Sequence, residues 1–117
     1  MSYMLLIVES REQRLKRAPE DGHAVYDRMV RFTHDLKARG VLRASESLVP
    51  DDRAVRVQVR DGESRLIDGP FVEAKEMVGG FFLLDCDSHD EALAIARECP
   101  AAQWCTVEVR QTGPCYE

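Results

Sequence analysis

The sequence predicts an α+β protein in which two helices cover one face of a largely antiparallel sheet. Two segments show helical spacing of apolar residues, and six shorter segments alternate or run apolar as strands do. Turn residues separate these segments. The resulting order, β-α-β-β-β-β-α-β, is close to a ferredoxin-like βαββαβ core with an added β-hairpin. The 117 residues are expected to form one domain, 1–117.

The first two elements are a strand and a helix that are joined by a polar loop. The strand is predicted over Tyr3 to Val8, where apolar residues occupy both faces. The helix is predicted from about His23 to Arg39 because four apolar residues recur at helical spacing. Those residues are Val25, Met29, Phe32 and Leu36. Asp21 or Gly22 is expected to cap its start, and Gly40 to follow its end.

Three extended segments follow the first helix. The segment "VLRASESLVP" is predicted to be a short strand or an extended stretch. The next, Ala54 to Arg60, alternates strictly, so Val55, Val57 and Val59 are expected to face the core. The Asp-Gly pair after it is typical of a hairpin turn, and "SRLID" then returns as the partner strand.

The last third of the chain contains a long strand, a helix and a short strand. Met77 to Cys86 is apolar on both faces, and its Gly79-Gly80 pair indicates a bulge or a close backbone approach. The segment "SHDE" is a capping box that starts the second helix, which must end before Pro100. Thr106 to Arg110 alternates again and is predicted to be the final strand.

The apolar pattern also predicts a homodimer. Two helices cover only one face of such a sheet, yet the first strand and the long strand are apolar on both faces. A second copy of the chain, packed face to face, would bury the remaining face.

Composition narrows the classes of function. The net charge is −5 and the sixteen basic residues are scattered, so neither nucleic acid nor an anionic membrane is an expected partner. No apolar run approaches the length of a membrane span, and no basic stretch precedes "YMLLIV", so a cytoplasmic protein is expected. The four cysteines and three histidines lack metal-ligand spacing, and no phosphate-binding or dinucleotide motif occurs. We therefore expect no metal and no cofactor.

The segment "DGPFVEAKE" carries the candidate site residues. Asp68 begins a stiff Asp-Gly-Pro-Phe corner that would hold its carboxylate in one place, although it could simply cap the turn. Glu73 and Lys75 would point to the same side of an extended chain, either at the mouth of a pocket or at a solvated edge. His23 is the histidine placed most like a mobile general base, because it opens a helix after a loop.

Four stretches of the chain together resemble the DGPF family, a group of small bacterial proteins related to YCII. The stretches, in their family order, are "YMLLIV", "GVLRASESLVP", "DGPFVEAKEMVGGFFLLD" and "VEVR". The resemblance covers nearly the whole chain and implies a dimeric α+β barrel of ferredoxin-like protomers.

The resemblance also implies site residues and partners. YCII-like relatives are thought to carry a His–Asp pair in a pocket, and Asp68 corresponds to that aspartate. This sequence has Met29 where the histidine is expected, and His23 lies nearby but out of register. Glu46 matches a family glutamate, although Ser45 and Ser47 replace the usual flanking glycines. Some family members are fused to, or encoded beside, sigma factors, which implies a regulatory association.

Two functional hypotheses follow from the sequence. In the first, a homodimer binds or transforms a small organic molecule, with Asp68 and His23 as acid/base groups. Glu46, Glu73 and Lys75 would then line the ligand pocket. In the second, the chain is a non-catalytic accessory module that acts through protein contacts, including contacts with a sigma factor.

Overall fold

The structure is a computed structural model, and it describes residues 2–116. The strands are β1 (Ser2–Ser10), β2 (Leu42–Ser47), β3 (Val55–Arg60), β4 (Glu63–Asp68), β5 (Glu76–Asp85) and β6 (Thr106–Gln111). The helices are α1 (Arg11–Leu15), α2 (Pro19–Ala38) and α3 (His89–Glu98), with short 3₁₀ helices at Asp51–Arg53 and Pro100–Gln103. None of the helices in the described part of the chain has the length and hydropathy that crossing a membrane requires.

Four of the strands form one antiparallel sheet in the order β2-β5-β1-β6. With β3 and β4 set aside, this is the strand order of a ferredoxin-like βαββαβ core, so the predicted fold class is confirmed. The remaining pair, β3 and β4, forms a separate two-stranded sheet. The four-stranded sheet of one chain is open, with β2 and β6 at its edges.

The core lies between the inner face of this sheet and helices α2 and α3. Buried side chains alternate along β1 and β5, as expected for strands with one face against helices. The Phe32 ring of α2 meets the Phe82 ring of β5 edge to face, with their centroids 5.3 Å apart. The fully buried apolar side chains include Leu5, Leu36, Leu84 and Ile95.

The N-terminal part of α2 departs from the prediction. The helix begins at Pro19 rather than near His23, because proline fits the first helical position, where no intrahelical N–H partner is needed. Asp21 and Gly22 therefore lie inside the helix and do not cap it. The preceding loop also contains the short helix α1, which Ser10 caps by accepting a hydrogen bond from the Gln13 N–H.

The predictions at the other helix ends are confirmed. Gly40 follows α2 with a φ of 75°, and its N–H donates to the Lys37 carbonyl. Ser88 caps α3 by accepting from the Glu91 N–H at 3.1 Å. The helix ends at Glu98, just before Pro100.

The hairpin β3–β4 contradicts one prediction. Val55, Val57 and Val59 do not face the core of their own chain, since they are 52%, 63% and 60% exposed. The alternation correctly predicts a strand, but β3 pairs with β4 in a separate two-stranded sheet that projects from the main sheet. Leu66, which pairs opposite Val57, is 65% exposed on the same hairpin face.

The outer face of the four-stranded sheet is also apolar. On this face Met4 pairs with Leu83, and Leu6 pairs with Phe81. These four side chains are only partly buried, and they alternate in sequence with the buried residues of the inner face. No element among residues 2–116 forms a second layer over these side chains. The strands are thus apolar on both faces, as predicted from the sequence.

Candidate functional site

A cleft of about 760 Å³ lies between helix α2 and strands β2 and β5. We call it the α2 cleft. Its volume falls within the range of small-molecule sites, about 300–1,000 Å³. Tyr26 and Met29 contribute to the helical wall, and Phe82 to the strand wall. Ser45 and Ser47 stand on the inner face of β2, opposite Phe82 and Gly80, and their small side chains leave the space open.

An ion pair lies at the end of the cleft nearest to α1. Arg14 Nη1 donates to Glu9 Oε2 at 2.6 Å, and Arg14 Nη2 donates to the Leu48 carbonyl at 2.7 Å. The two side chains are largely withdrawn from water, with 12% of Glu9 and 20% of Arg14 exposed. A charge-assisted hydrogen bond of this kind fixes both groups more firmly than a surface pair would.

The Gly79-Gly80 pair provides the room that this end of the cleft needs. The β1–β5 register shifts here, since Ile7 pairs with Gly80 while Val8 pairs with Val78, so the predicted bulge is confirmed. A Cβ at Gly79 would lie 2.4 Å from the Glu9 Cδ. A Cβ at Gly80 would lie 2.8 Å from the Glu46 carbonyl oxygen of β2. One glycine therefore admits the Glu9 carboxylate, and the other admits the neighbouring backbone.

The cleft lining includes groups that can exchange a proton with a ligand, among them a carboxylate, hydroxyls and an imidazole. Glu9 can accept a proton through the oxygen that Arg14 does not engage. Ser45 and Ser47 offer hydroxyls, and His34 lines the exposed part of the helical wall.

The cysteines near the core do not supply a nucleophile. All four cysteines are free. Burial raises the pKa of the Cys86 and Cys99 thiols, and it raises the pKa of Cys105 to about 11. These groups are therefore protonated thiols near neutral pH and are poor nucleophiles. Cys86 and Cys99 are packing residues of the hydrophobic core.

The Asp-Gly-Pro-Phe corner is joined to the core by an arginine–aspartate clasp. Arg11 donates through both terminal nitrogens to the two carboxylate oxygens of Asp51. The same guanidinium donates to the Phe71 and Ala74 carbonyls, both at 3.0 Å, and the Phe71 N–H donates to Asp51 Oδ2 at 3.3 Å. A Cβ at Gly69 would lie 1.8 Å from the Asp51 carbonyl oxygen, so only glycine fits at this contact.

The electrostatics of the clasp follow from these contacts. The hydrogen bonds from Arg11 hold the pKa of the Asp51 carboxyl below its ordinary value of 3.8, and the Phe71 N–H adds to this effect against the cost of desolvation. Phe71 is buried beneath Arg56, whose guanidinium carbon lies 3.6 Å from the ring centroid. Arg11, Asp51 and Arg56 therefore all contact Phe71 and hold the corner in place.

The structure separates the residues proposed from the sequence. Glu46 is among the residues that line the α2 cleft, but it pairs with Phe81 and is exposed, so its backbone faces the cleft and its side chain lies on the outer face of β2. Asp68 is exposed at the end of β4, opposite Val55, and no described residue donates a hydrogen bond to its carboxylate. Glu73 forms an exposed pair with Arg56 at 3.5 Å. The Lys75 side chain is exposed, while its carbonyl accepts from the Arg11 N–H at 3.1 Å. His23 is exposed on α2 and does not line the cleft.

Sequence reasoning missed Glu9 and Arg14. A signal for Glu9 was present, because the two-residue period of β1 places it on the same face as the buried Tyr3, Leu5 and Ile7. A charged residue in that register indicates a partner or a site. No comparable signal pointed to Arg14, which lies in a helix that was interpreted as a loop.

Within residues 2–116, no group of three or more histidine, cysteine, aspartate or glutamate side chains is arranged to hold a metal ion.

The chain is similar in sequence to a known protein family and to one curated protein. The family model described as "YCII-related domain" matches residues 1–114, nearly the whole chain. An uncharacterized protein of Rhizobium meliloti (strain 1021) is 46% identical over 59 residues. That alignment covers 50% of this chain and 48% of the relative, so the chain spans about half the length of the curated relative it matches.

Proposed function

We propose that this chain, which belongs to the YCII-related family, binds a small organic molecule and acts on it by acid/base chemistry in the α2 cleft. The observation that carries this proposal is a withdrawn carboxylate, Glu9, at one end of a cleft of ligand size. A carboxylate that is held in place at the end of a ligand-sized cleft can reach a bound molecule and act as a general acid or base. In this proposal Glu9 moves the proton, Arg14 orients Glu9, and the β2 serines contact the ligand, with the backbone of Glu46 between them in the cleft wall.

The chain carries its own reporter for this test. Trp104 is the single tryptophan of the sequence, and it lines the α2 cleft. We expect small organic ligands to change the fluorescence of Trp104 in a saturable way. Native mass spectrometry of the purified protein would reveal a ligand that is already bound. A broad panel of small organic molecules that leaves the Trp104 emission unchanged would contradict the proposal.

A matched pair of variants locates the chemistry. Glu9→Gln keeps the size of the side chain but removes the proton acceptor from the cleft. Asp68→Asn makes the same change at the exposed corner. If the cleft is the site, Glu9→Gln abolishes any detected turnover and Asp68→Asn leaves it intact. The reverse result would transfer the acid/base role to Asp68.

We also propose that the protein is a homodimer and that dimerisation encloses Asp68. Support comes from the pairing in the hairpin, where Asp68 lies opposite Val55 and therefore on the same face as the exposed valines. A partner chain that covers these valines would withdraw Asp68 from water, with Glu73 and Lys75 at the rim and His23 as a candidate base. Sedimentation that shows a stable monomer at micromolar concentration would contradict this arrangement.

The exposed residues Val55, Val57 and Val59 form a valine stripe on the hairpin. This stripe also supports a second candidate function, that of an accessory module which binds another protein such as a sigma factor. Exposed apolar patches mark protein interaction sites as readily as dimer interfaces. In this case the wild-type chain would be a monomer that forms a defined complex with a sigma factor, and Val57→Ser would weaken that complex. A dimer without sigma-factor binding would exclude it.

A further inference from the structure

The two arginines at the α1 end of the cleft differ in their charge balance. Arg14 is neutralised by Glu9 and also engaged by the Leu48 carbonyl. Arg17 is half-buried and lines the same cleft, yet no carboxylate among residues 2–116 forms an ion pair with its guanidinium. The three side chains Glu9, Arg14 and Arg17 therefore leave one positive charge at this end.

The position of Arg17 places that charge beside apolar surface. Its side chain passes the first turns of α2, since a Cβ built at Gly22 would lie 3.7 Å from the Arg17 Cδ. Arg17 and the Trp104 ring line the same cleft. Met29 and Phe82 continue the apolar lining beyond it. A cation at the margin of an apolar cleft favours a ligand that has one anionic end and an apolar body.

Glu46, the other carboxylate among the lining residues, does not offset Arg17, because it alternates with Ser45 and Ser47 and its side chain therefore lies on the outer face of β2. Glu20 and Asp21 occupy the first turn of α2, but both are exposed and neither lines the cleft. Lys37 lines the cleft near the opposite end of α2. A helix of 20 residues spans about 30 Å, so Lys37 and Arg17 are too far apart to hold the same anionic group.

We infer that the ligand of the α2 cleft is an amphipathic organic acid whose carboxylate is held by Arg17 and whose apolar body lies against Met29, Phe82 and Trp104. This inference rests on the proposed function of the cleft and adds the chemical class of the ligand. The protein as a whole carries a net charge of −5, so long-range attraction does not account for such a preference.

The test compares acids with their uncharged isosteres. Titrations followed by Trp104 fluorescence would use octanoate against octanamide, and 3-phenylpropionate against 3-phenylpropanamide. A charge-assisted contact predicts that each acid binds at least about tenfold more tightly than its amide. Arg17→Gln is expected to remove this difference by weakening the acids alone, and Arg17→Lys to restore part of it.

Lys16→Gln is the matched control. It removes the same charge one residue away, but Lys16 pairs with Glu12 on the exposed surface and lies outside the cleft lining. It is expected to leave all four affinities unchanged. Equal binding of acids and amides, or an Arg17→Gln variant that retains the preference, would overturn the inference and leave the cleft as a binding site. If none of the four probes perturbs Trp104, the inference fails, and the wider panel then decides whether the proposed function fails with it.

Discussion

The main sheet and the β3–β4 hairpin are built on the same antiparallel alternation but end in opposite environments. Along β5 the alternate residues Phe82 and Leu84 are buried against the helices. Along β3 the alternate residues Val57 and Val59 remain more than half exposed. The hairpin forms a sheet of its own, and the radius of gyration of the chain is 16.0 Å, whereas about 13 Å is usual for a compact domain near this size.

The difference shows what an alternating pattern does and does not specify. Alternation specifies a strand and the register in which its apolar residues share a face. It does not specify what covers that face. Helices α2 and α3 cover it for β1 and β5, whereas nothing among residues 2–116 covers it for β3 and β4. We therefore expect the burial of the hairpin side chains to differ more between a single chain and an assembly than the burial of the main sheet does.

The largest expected effect is on the stability of the main sheet. Leu84→Ala removes a fully buried side chain and leaves a cavity, so we expect it to lower the free energy of unfolding by about 2–5 kcal/mol. The same change in the hairpin, Leu66→Ala, should alter stability by less than about 0.5 kcal/mol in a dilute sample. Urea unfolding of both variants measures the contrast. Equal losses at the two positions would mean that the hairpin is packed as tightly as the core.

A smaller effect is expected on self-association. If a partner chain covers the valine stripe, Val57→Ser should weaken dimerisation about tenfold or more, because each valine loses apolar burial at the interface. Gln58→Ser is the control, since alternation places Gln58 on the other face of the same strand. Sedimentation equilibrium measures both constants. A Gln58→Ser variant that dissociates as readily as Val57→Ser would place the interface elsewhere.

Features that depend on neighbouring residues in sequence were predictable. The Ser88 cap, Gly40 after α2 and the Gly79-Gly80 bulge each follow from local backbone chemistry, and all three are confirmed. The prediction that Val57 faces the core was wrong, because tertiary structure, and not the alternation of the strand itself, decides what covers a strand. The Arg11–Asp51 clasp joins residues that are 40 positions apart in sequence, so no local pattern predicts it. Glu9 could have been identified from its strand register, but its contact with Arg14 required the unpredicted helix α1.

The clasp connects the main sheet with the β3–β4 hairpin, because Arg11 directly follows β1, whereas Asp51 precedes β3 and Phe71 follows β4. Arg11 lowers the pKa of Asp51 in the folded chain. A carboxyl whose pKa is lower in the folded state stabilises the fold at pH values above its ordinary 3.8, and this contribution is lost as the pH falls through the lower, folded value. Acid should therefore loosen the base of the hairpin through Asp51.

The smallest effect we predict is a local one at this contact. The Phe71 N–H donates to Asp51 Oδ2, so its amide proton resonance should titrate with Asp51, with a midpoint below 3.8. Asp51→Asn should abolish this titration. Asp52→Asn removes the adjacent, exposed carboxylate, which has no ion pair among residues 2–116, and it should leave the titration in place. A Phe71 resonance that titrates at or above 3.8 would contradict the effect of Arg11 on Asp51, and one that still titrates in Asp51→Asn would contradict the Phe71–Asp51 contact.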